Sequence, residues 1–228
     1  MNKAGVETLE TMATADWYNN WLFSFIKPHI KGEILEVGVG IGNFIKMLSK
    51  RGRVTAIDVN KDYIKMLKDK KLVSSVGYGD VEKGRYFFGD KKFDSIVCLN
   101  VVEHIRNDKK AVSNMNKLLK KGGKLILLIP AHNYLFSNFD KELGHFRRYS
   151  KKEVAELIEN SGFENIDVRY INWWGAIGWF VLLKLTGRKD MPRPPVKIFD
   201  LLARILLLPE KLFRVPFGLS IIAIAEKK

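Results

Sequence analysis

The sequence predicts an α/β fold, a doubly wound and mostly parallel sheet of seven strands with a helical insert before the last strand. Three observations predict it. Short apolar segments alternate with segments whose apolar residues recur at helical spacing, the pattern of a parallel sheet covered on both faces. One join, Ile34–Phe44 (ILEVGVGIGNF), runs from an apolar strand through three glycines straight into helical spacing. Residues 172–218 then break the alternation with two longer apolar stretches. A chain of 228 residues that is 46% hydrophobic can bury the core of one such domain, so residues 1–228 are read as a single unit.

Taken in order, residues 1–15 are polar and read as a loosely ordered segment or a helix start. Asp16–Ile30 places Trp17, Tyr18, Trp21, Leu22 and Phe25 on an aromatic helical face that Pro28 interrupts, so residues 1–30 form an N-terminal helical cap. Ile34, Leu35 and Val37 surround one charge, Glu36, as in a buried parallel strand. Helical spacing begins at Asn43 with Phe44, Ile45, Met47 and Leu48. Arg53–Ile57 is a strand ending at Asp58, and Lys61–Lys70 a helix with Ile64 and Leu67 inward. Val73–Tyr78 is a short extended segment leading to Gly79-Asp80. Phe93–Leu99 is a strand, and Asp108–Lys120 a helix stopped by Gly122-Gly123. Lys124–Ile129 is a strand closed by Pro130. Ser150–Asn160 is a helix opened by a Ser150/Glu153 capping box. Asn165–Ile171 and Leu219–Ala225 complete the sheet.

The single cysteine, Cys98, excludes an internal disulfide and a cysteine-based metal cluster, and it sits in an apolar run as a buried thiol. MNKAGVETLETMATADW has no apolar h-region, so a cytoplasmic location is expected. The formal net charge of +14 favours anionic partners: nucleic acid, acidic lipid or a phosphorylated molecule. The basic residues are scattered in pairs such as Lys91–Lys92 and Lys151–Lys152, which also describes a solvated surface.

The chemistry begins at the glycines. Gly38, Gly40 and Gly42 follow the first strand, where positive φ and close backbone approach suit a nucleotide-like ligand at a helix N-terminus. A dinucleotide fold wants G-x-G-x-x-G, whereas here the third glycine comes one residue early, in E-x-G-x-G-x-G. That spacing disfavours an NAD-linked oxidoreductase. Asp58 lies 16 residues after Gly42, where a carboxylate accepts the hydroxyls of a ribose or caps a helix. Asp80 follows the third strand and Asn100 the fourth.

With these residues in register, the chain resembles the class I S-adenosylmethionine-dependent methyltransferases over about residues 16–170, the elbow being similar to their motif I and FDSIVCLNVVEHI (93–105) to their motif IV. The resemblance implies a Rossmann-like fold and S-adenosylmethionine as cofactor. It assigns Glu36, Gly38, Gly40, Gly42, Asp58, Val59, Asp80, Val81, Asn100 and Tyr18 to cofactor binding: Asp80 on the adenine amino group, Val81 on the ring, and Tyr18 from the helix before the first strand. Val39 stands where the family more often has Cys or Ala. His104 is read as a structural histidine tying two loops. Motif IV lacks the Asn/Asp-Pro-Pro-aromatic signature of enzymes that methylate base amino groups, which lowers nucleic acid as the acceptor. An RNA methyltransferase using the basic surface is the alternative.

On the acceptor side, parallel strands put Pro130–Val154 at the ligand edge. Its Asp140…Gly-His-x-Arg-Arg-Tyr-Ser run is similar to methyltransferases of cell-surface glycan and lipid-carrier pathways. Methyl transfer by direct in-line displacement to a hydroxyl or amine of a small-molecule or lipid-linked acceptor is therefore expected. His145 or His132 would accept a proton, and Tyr134, Arg147 and Arg148 would bind the acceptor. Alternatively, Asp140, His145 and Arg147 form a hydrogen-bonded loop lock. No metal is expected. Residues 172–218 would form a lid, a homodimer contact or a peripheral membrane contact at the inner face of the membrane. Trp173, Trp174, Trp179 and Phe180 beside Lys184, Arg188, Lys189 and Arg193 match an interfacial helix pair as well as a soluble lid or dimer contact.

Overall fold

A computed structural model describes residues 3–70, 72–73, 75–188 and 193–228. Helices α1 (Lys3–Ala13) and α2 (Asp16–Ile26) precede β1 (Gly32–Val37). A short helix α3 (Ile45–Leu48), β2 (Gly52–Asp58), α4 (Lys61–Asp69) and β3 (Ser75–Asp80) follow. Then come β4 (Arg85–Tyr86), β5 (Phe93–Leu99), α5 (Asp108–Leu118) and β6 (Leu119–Pro130). Helix α6 (Asn138–Leu143), α7 (Lys151–Glu159), β7 (Phe163–Ile171), α8 (Trp173–Trp179), α9 (Arg193–Leu206) and β8 (Ser220–Lys227) complete the chain. The capping box that opens α7 is present.

The sheet has eight strands in the order β4-β3-β2-β1-β5-β6-β8-β7. The five central strands pair in parallel. β8 runs antiparallel between β6 and β7. Strand β4 makes the count eight rather than the expected seven; it is a two-residue antiparallel edge on Gly79 and Asp80. The Gly-Gly stop of α5 is also corrected. The helix ends at Leu118 because Leu119 already pairs with Phe93, and Gly122 and Gly123 lie inside β6 where the register with β5 shifts.

Successive side chains alternate between two apolar layers. Leu35, Ile57, Ile96, Cys98 and Leu127 face the layer completed by α5 and α7. Ile34, Val54, Val97, Ile126 and Leu128 face α2 and the buried side of α9, with Trp21, Ala203 and Leu207 among them. Burying Trp21 and Ile26 in this layer contributes about 1.5–3 kcal/mol per large side chain, more than propensity alone supplies to an 11-residue helix.

The topology places β1, β2, β3, β5 and β6 with their carboxyl ends on one edge. Because β8 is antiparallel, Ile171 and Pro130 both face Ser220. The insert 172–218 therefore starts and finishes on that same edge. Its first helix runs on from Trp179 as a widened turn over Phe180–Leu185. Of the basic residues read in the insert, Lys189 and the side chain of Arg193 lie outside the described residues. No described helix is long and apolar enough to cross a membrane.

Candidate functional site

The carboxyl edge carries a glycine elbow. Gly38, Gly40 and Gly42 all have positive φ, at 70°, 52° and 88°. At Gly38 a Cβ would fall 2.3 Å from Val101 Cγ2, so the loop after β5 can close on the elbow only because that position lacks a side chain. The amides of Gly38 and Val39 both donate to the Ile57 carbonyl, at 2.8 and 3.1 Å, tying the elbow to β2. Asp58 completes the tie. Its Oδ2 accepts from the Gly40 amide at 2.9 Å and its Oδ1 from the Asn60 amide at 2.8 Å. Burial raises the pKa of Asp58, and those backbone amides oppose the shift.

Glu36 sits on β1 two residues before the elbow. It is buried, and its Oε2 has no hydrogen-bond partner. Burial, helped by the charge of Asp58, pushes its carboxyl up to about 8. An orphaned buried carboxylate oxygen, a second carboxylate and a side-chain-free turn suit a ligand that brings positive charge and hydroxyl donors. The residues present therefore fit S-adenosylmethionine. Helix α1 covers this place: Asn43 Nδ2 donates to the Leu9 carbonyl at 3.3 Å, and Leu9 Cδ1 lies 3.1 Å from where a Gly40 Cβ would stand.

The other expected cofactor residues divide. Asp80 lies at the end of β3, with Oδ1 accepting from the Lys83 amide at 2.9 Å and Oδ2 paired with Lys83 Nζ at 3.3 Å. Asn100 follows β5 in a left-handed conformation, φ 54°, with its amide on the Leu128 carbonyl. Val81 turns into the core beneath α5, so the ring-packing face expected of it is not offered. Val59, at the end of β2, is 60% exposed and does offer an apolar surface at this edge. Tyr18 is buried on α2. Its ring packs on Trp21 at 5.4 Å, its hydroxyl accepts from Asn172 Nδ2 at 3.2 Å, and burial raises its pKa to about 12. It joins α2 to the insert.

The acceptor loop between β6 and α7 separates into two parts. In the first, Asp140 and Arg148 are both buried and paired: Oδ1 of Asp140 receives Arg148 Nε at 2.9 Å and lies 2.9 Å from His145 Nδ1. Ser137 Oγ and the Ser137 amide donate to Oδ2. Arg148 also lies over the Trp179 ring at 4.3 Å. Arg148 is therefore consumed inside the fold, and the expected substrate clamp is corrected at that position. The loop lock is present with Arg148 in place of Arg147, whose guanidinium instead meets Asp108 and the Arg106 carbonyl. His145 belongs to the lock as well. Its Nε2 is 4.0 Å from Glu103 Oε1 and its ring meets His104 edge-on. Glu103 is fully buried with neither carboxylate oxygen hydrogen-bonded, and burial lifts it to about 7.

The second part is only partly buried. His132 follows β6 with φ 63°, a conformation costly for a side-chain-bearing residue. Its ring stacks on Tyr170 at 4.6 Å and lies tilted against Tyr134 at 5.0 Å. Its Nε2 has no partner, and burial together with Arg148 lowers its pKa, so the imidazole is neutral near pH 7. Tyr134 is 62% exposed.

Three further residues matter here. Asp200 on α9 caps α2, Glu210 caps α8 by accepting from the Asn172 and Trp173 amides at 2.8 and 2.9 Å, and Asn172 accepts from Gly175 with φ 63°. Each bond spans elements distant in sequence, apart from the Asn172 turn.

The sequence profile of a family described as "Methyltransferase domain" matches residues 35–127. An uncharacterised protein of Methanocaldococcus jannaschii is 30% identical over 149 residues, 62% of this chain and 69% of that protein. A phosphatidylethanolamine N-methyltransferase of Cereibacter sphaeroides is 30% identical over 103 residues, 42% of this chain, and the chain spans 50% of that enzyme's length. Among solved structures, a SAM-dependent methyltransferase of Thermotoga maritima superposes with a TM-score of 0.68 at 16% identity, covering 97% of this chain and 95% of that one. That likeness establishes the fold.

Proposed function

Since the chain belongs to the class I S-adenosylmethionine-dependent methyltransferases, whose cofactor is S-adenosylmethionine, we propose that it methylates a hydroxyl or amine of a small-molecule or lipid-linked acceptor bound beside His132. When bound, the cofactor supplies a methyl group already activated by a sulfonium. What remains for the protein is alignment and proton acceptance, and alignment is worth on the order of 7–11 kcal/mol in favourable cases.

The chain divides that work by position. Asp58 and Glu36 supply hydrogen-bond acceptors at the elbow, Glu36 ionising as a cationic ligand arrives, and α1 lies over it. The lock of Asp140, His145 and Arg148 fixes the loop that follows β6. His132 accepts the acceptor's proton at Nε2. The single observation that carries this assignment is that its Nε2 is buried, unpartnered and on a neutral ring at the carboxyl edge. His145, with Nδ1 on Asp140 and Nε2 facing Glu103, positions the loop instead. Tyr134, exposed and tilted against His132, is the side chain an acceptor meets first.

The acceptor class is supported by the Cereibacter relative, whose name specifies a phospholipid. Incubation with methyl-labelled S-adenosylmethionine and fractionated cell extract tests the reading: label enters the lipid or small-molecule pool. His132→Ala lowers turnover by about 10²–10⁴-fold while S-adenosylhomocysteine still binds. Label that enters RNA instead contradicts the acceptor assignment.

A further inference from the structure

We propose that α9 and the turn after it dock on an anionic lipid bilayer, which brings the carboxyl edge of the sheet to the membrane surface. The helix is apolar on two sides. One side is used: Ala203 and Leu207 are buried against α2, where Trp21 Nε1 donates to the Leu207 carbonyl at 3.1 Å. The opposite side carries Ile198, Leu201 and Ile205 at helical spacing, and Leu208, Leu212 and Phe213 continue it. Ile205, Leu212 and Phe213 are 76%, 78% and 71% exposed. A contiguous row of that kind marks an interaction surface in a folded protein.

Charge selects the occupant. Among the described residues of 173–218 the only acids are Asp200 and Glu210. Both are turned inward as caps, Asp200 on the Tyr18 amide at 2.8 Å and Glu210 on the Asn172 and Trp173 amides. Arg204 and Lys211 are exposed beside the apolar row. The outward surface is thus apolar and basic with its acids withdrawn, the composition that binds acidic headgroups while burying side chains at the acyl boundary. Helix α9 has 14 residues, too few for the roughly 20 a crossing needs, so it lies on the surface rather than through it. The insert leaves and rejoins the sheet at the ligand edge, so docking fixes the orientation of that edge. If the methyl-transfer reading above holds, on which this last step rests, the acceptor is carried by the lipid.

Co-sedimentation tests the docking. The full chain sediments with phosphatidylcholine vesicles containing phosphatidylglycerol, less with phosphatidylcholine alone, and less again as salt rises. The double variant Ile205→Asp, Leu212→Asp weakens partitioning by about tenfold or more. Arg204→Glu with Lys211→Glu weakens it on the anionic vesicles. All these side chains are exposed, so melting temperature and S-adenosylhomocysteine binding stay at wild-type values and certify the fold. Absence of sedimentation at low salt, or wild-type sedimentation of the aspartate variant, overturns the proposal. So does a dimer in solution that the aspartate variant dissociates, since the face then belongs to a second copy. S-adenosylhomocysteine binding is measured without vesicles, so failure of the cofactor reading is distinguishable from failure of the docking.

Discussion

Asp200 accepts the Tyr18 amide at 2.8 Å across 182 residues of chain. One carboxylate on the insert therefore supplies the N-cap that the helix over the sheet lacks locally: Ala15 occupies the N-cap position and makes no side-chain bond. The first turn of a helix exposes amides with no intrahelical partner, and an acid there also meets the positive end of the dipole. The pairing anchors the insert and the cap to each other.

Asp200→Ala removes that cap and costs about 1 kcal/mol, within the ~0.5–2 range of N-cap losses. For a chain of this size it lowers the melting temperature by about 2–4 °C. Thermal unfolding followed by circular dichroism checks it.

The buried lock behaves differently. Asp140→Ala leaves the Arg148 guanidinium buried without its carboxylate and destabilises by about 3–5 kcal/mol. Adding Arg148→Met to that variant recovers part of the loss, because the stranded charge is gone. Denaturant unfolding of the two single variants and the double gives the coupling.

Glu103 contributes to the pH dependence beside Glu36, whose carboxyl is raised in the same direction. Burial raises its carboxyl to about 7 from an ordinary 4.5. A raised folded value means that its favourable contribution is complete below pH 4.5 and is lost as pH rises through about 7. Asp140 runs oppositely: its value is lowered by His145 and Arg148 against the cost of burial, so its contribution holds above 3.8 and fades only as pH falls below that. Melting temperature therefore declines between about pH 5 and 8, and Glu103→Gln flattens the decline. An unchanged slope in that variant contradicts the assignment.

Glu36 links protons to cofactor. Its carboxyl is held at about 8 before a ligand arrives. A cationic ligand at the elbow favours the ionised form and lowers that value, so binding releases protons between about pH 5 and 8 and tightens toward pH 8. Calorimetry in two buffers of different ionisation enthalpy reads the release directly, and Glu36→Gln abolishes it.

Much of this was legible because the signals are local. The elbow, Asp58, the strand that ends at Leu99 and the Ser150/Glu153 capping box each declare themselves within a few residues. Eight strands rather than seven follow from a two-residue pairing with no hydrophobic pattern. Gly122-Gly123 misled because paired glycines serve a bulge as well as a helix stop. Arg147 and Arg148 are adjacent and chemically alike. Only the packing of Trp179 over one of them decides which is buried in the lock. The caps of Asp200 and Glu210, and the burial of Val81 and Tyr18, depend on which elements meet, which spacing along the chain does not encode.

Titration of the purified chain with S-adenosylhomocysteine bears most directly on the account. It predicts saturable binding, weakened about tenfold to a hundredfold by Asp58→Ala, which frees the Gly40 amide it now holds (~1.4–3 kcal/mol). No binding by the wild type, or equal binding by the variant, would contradict it.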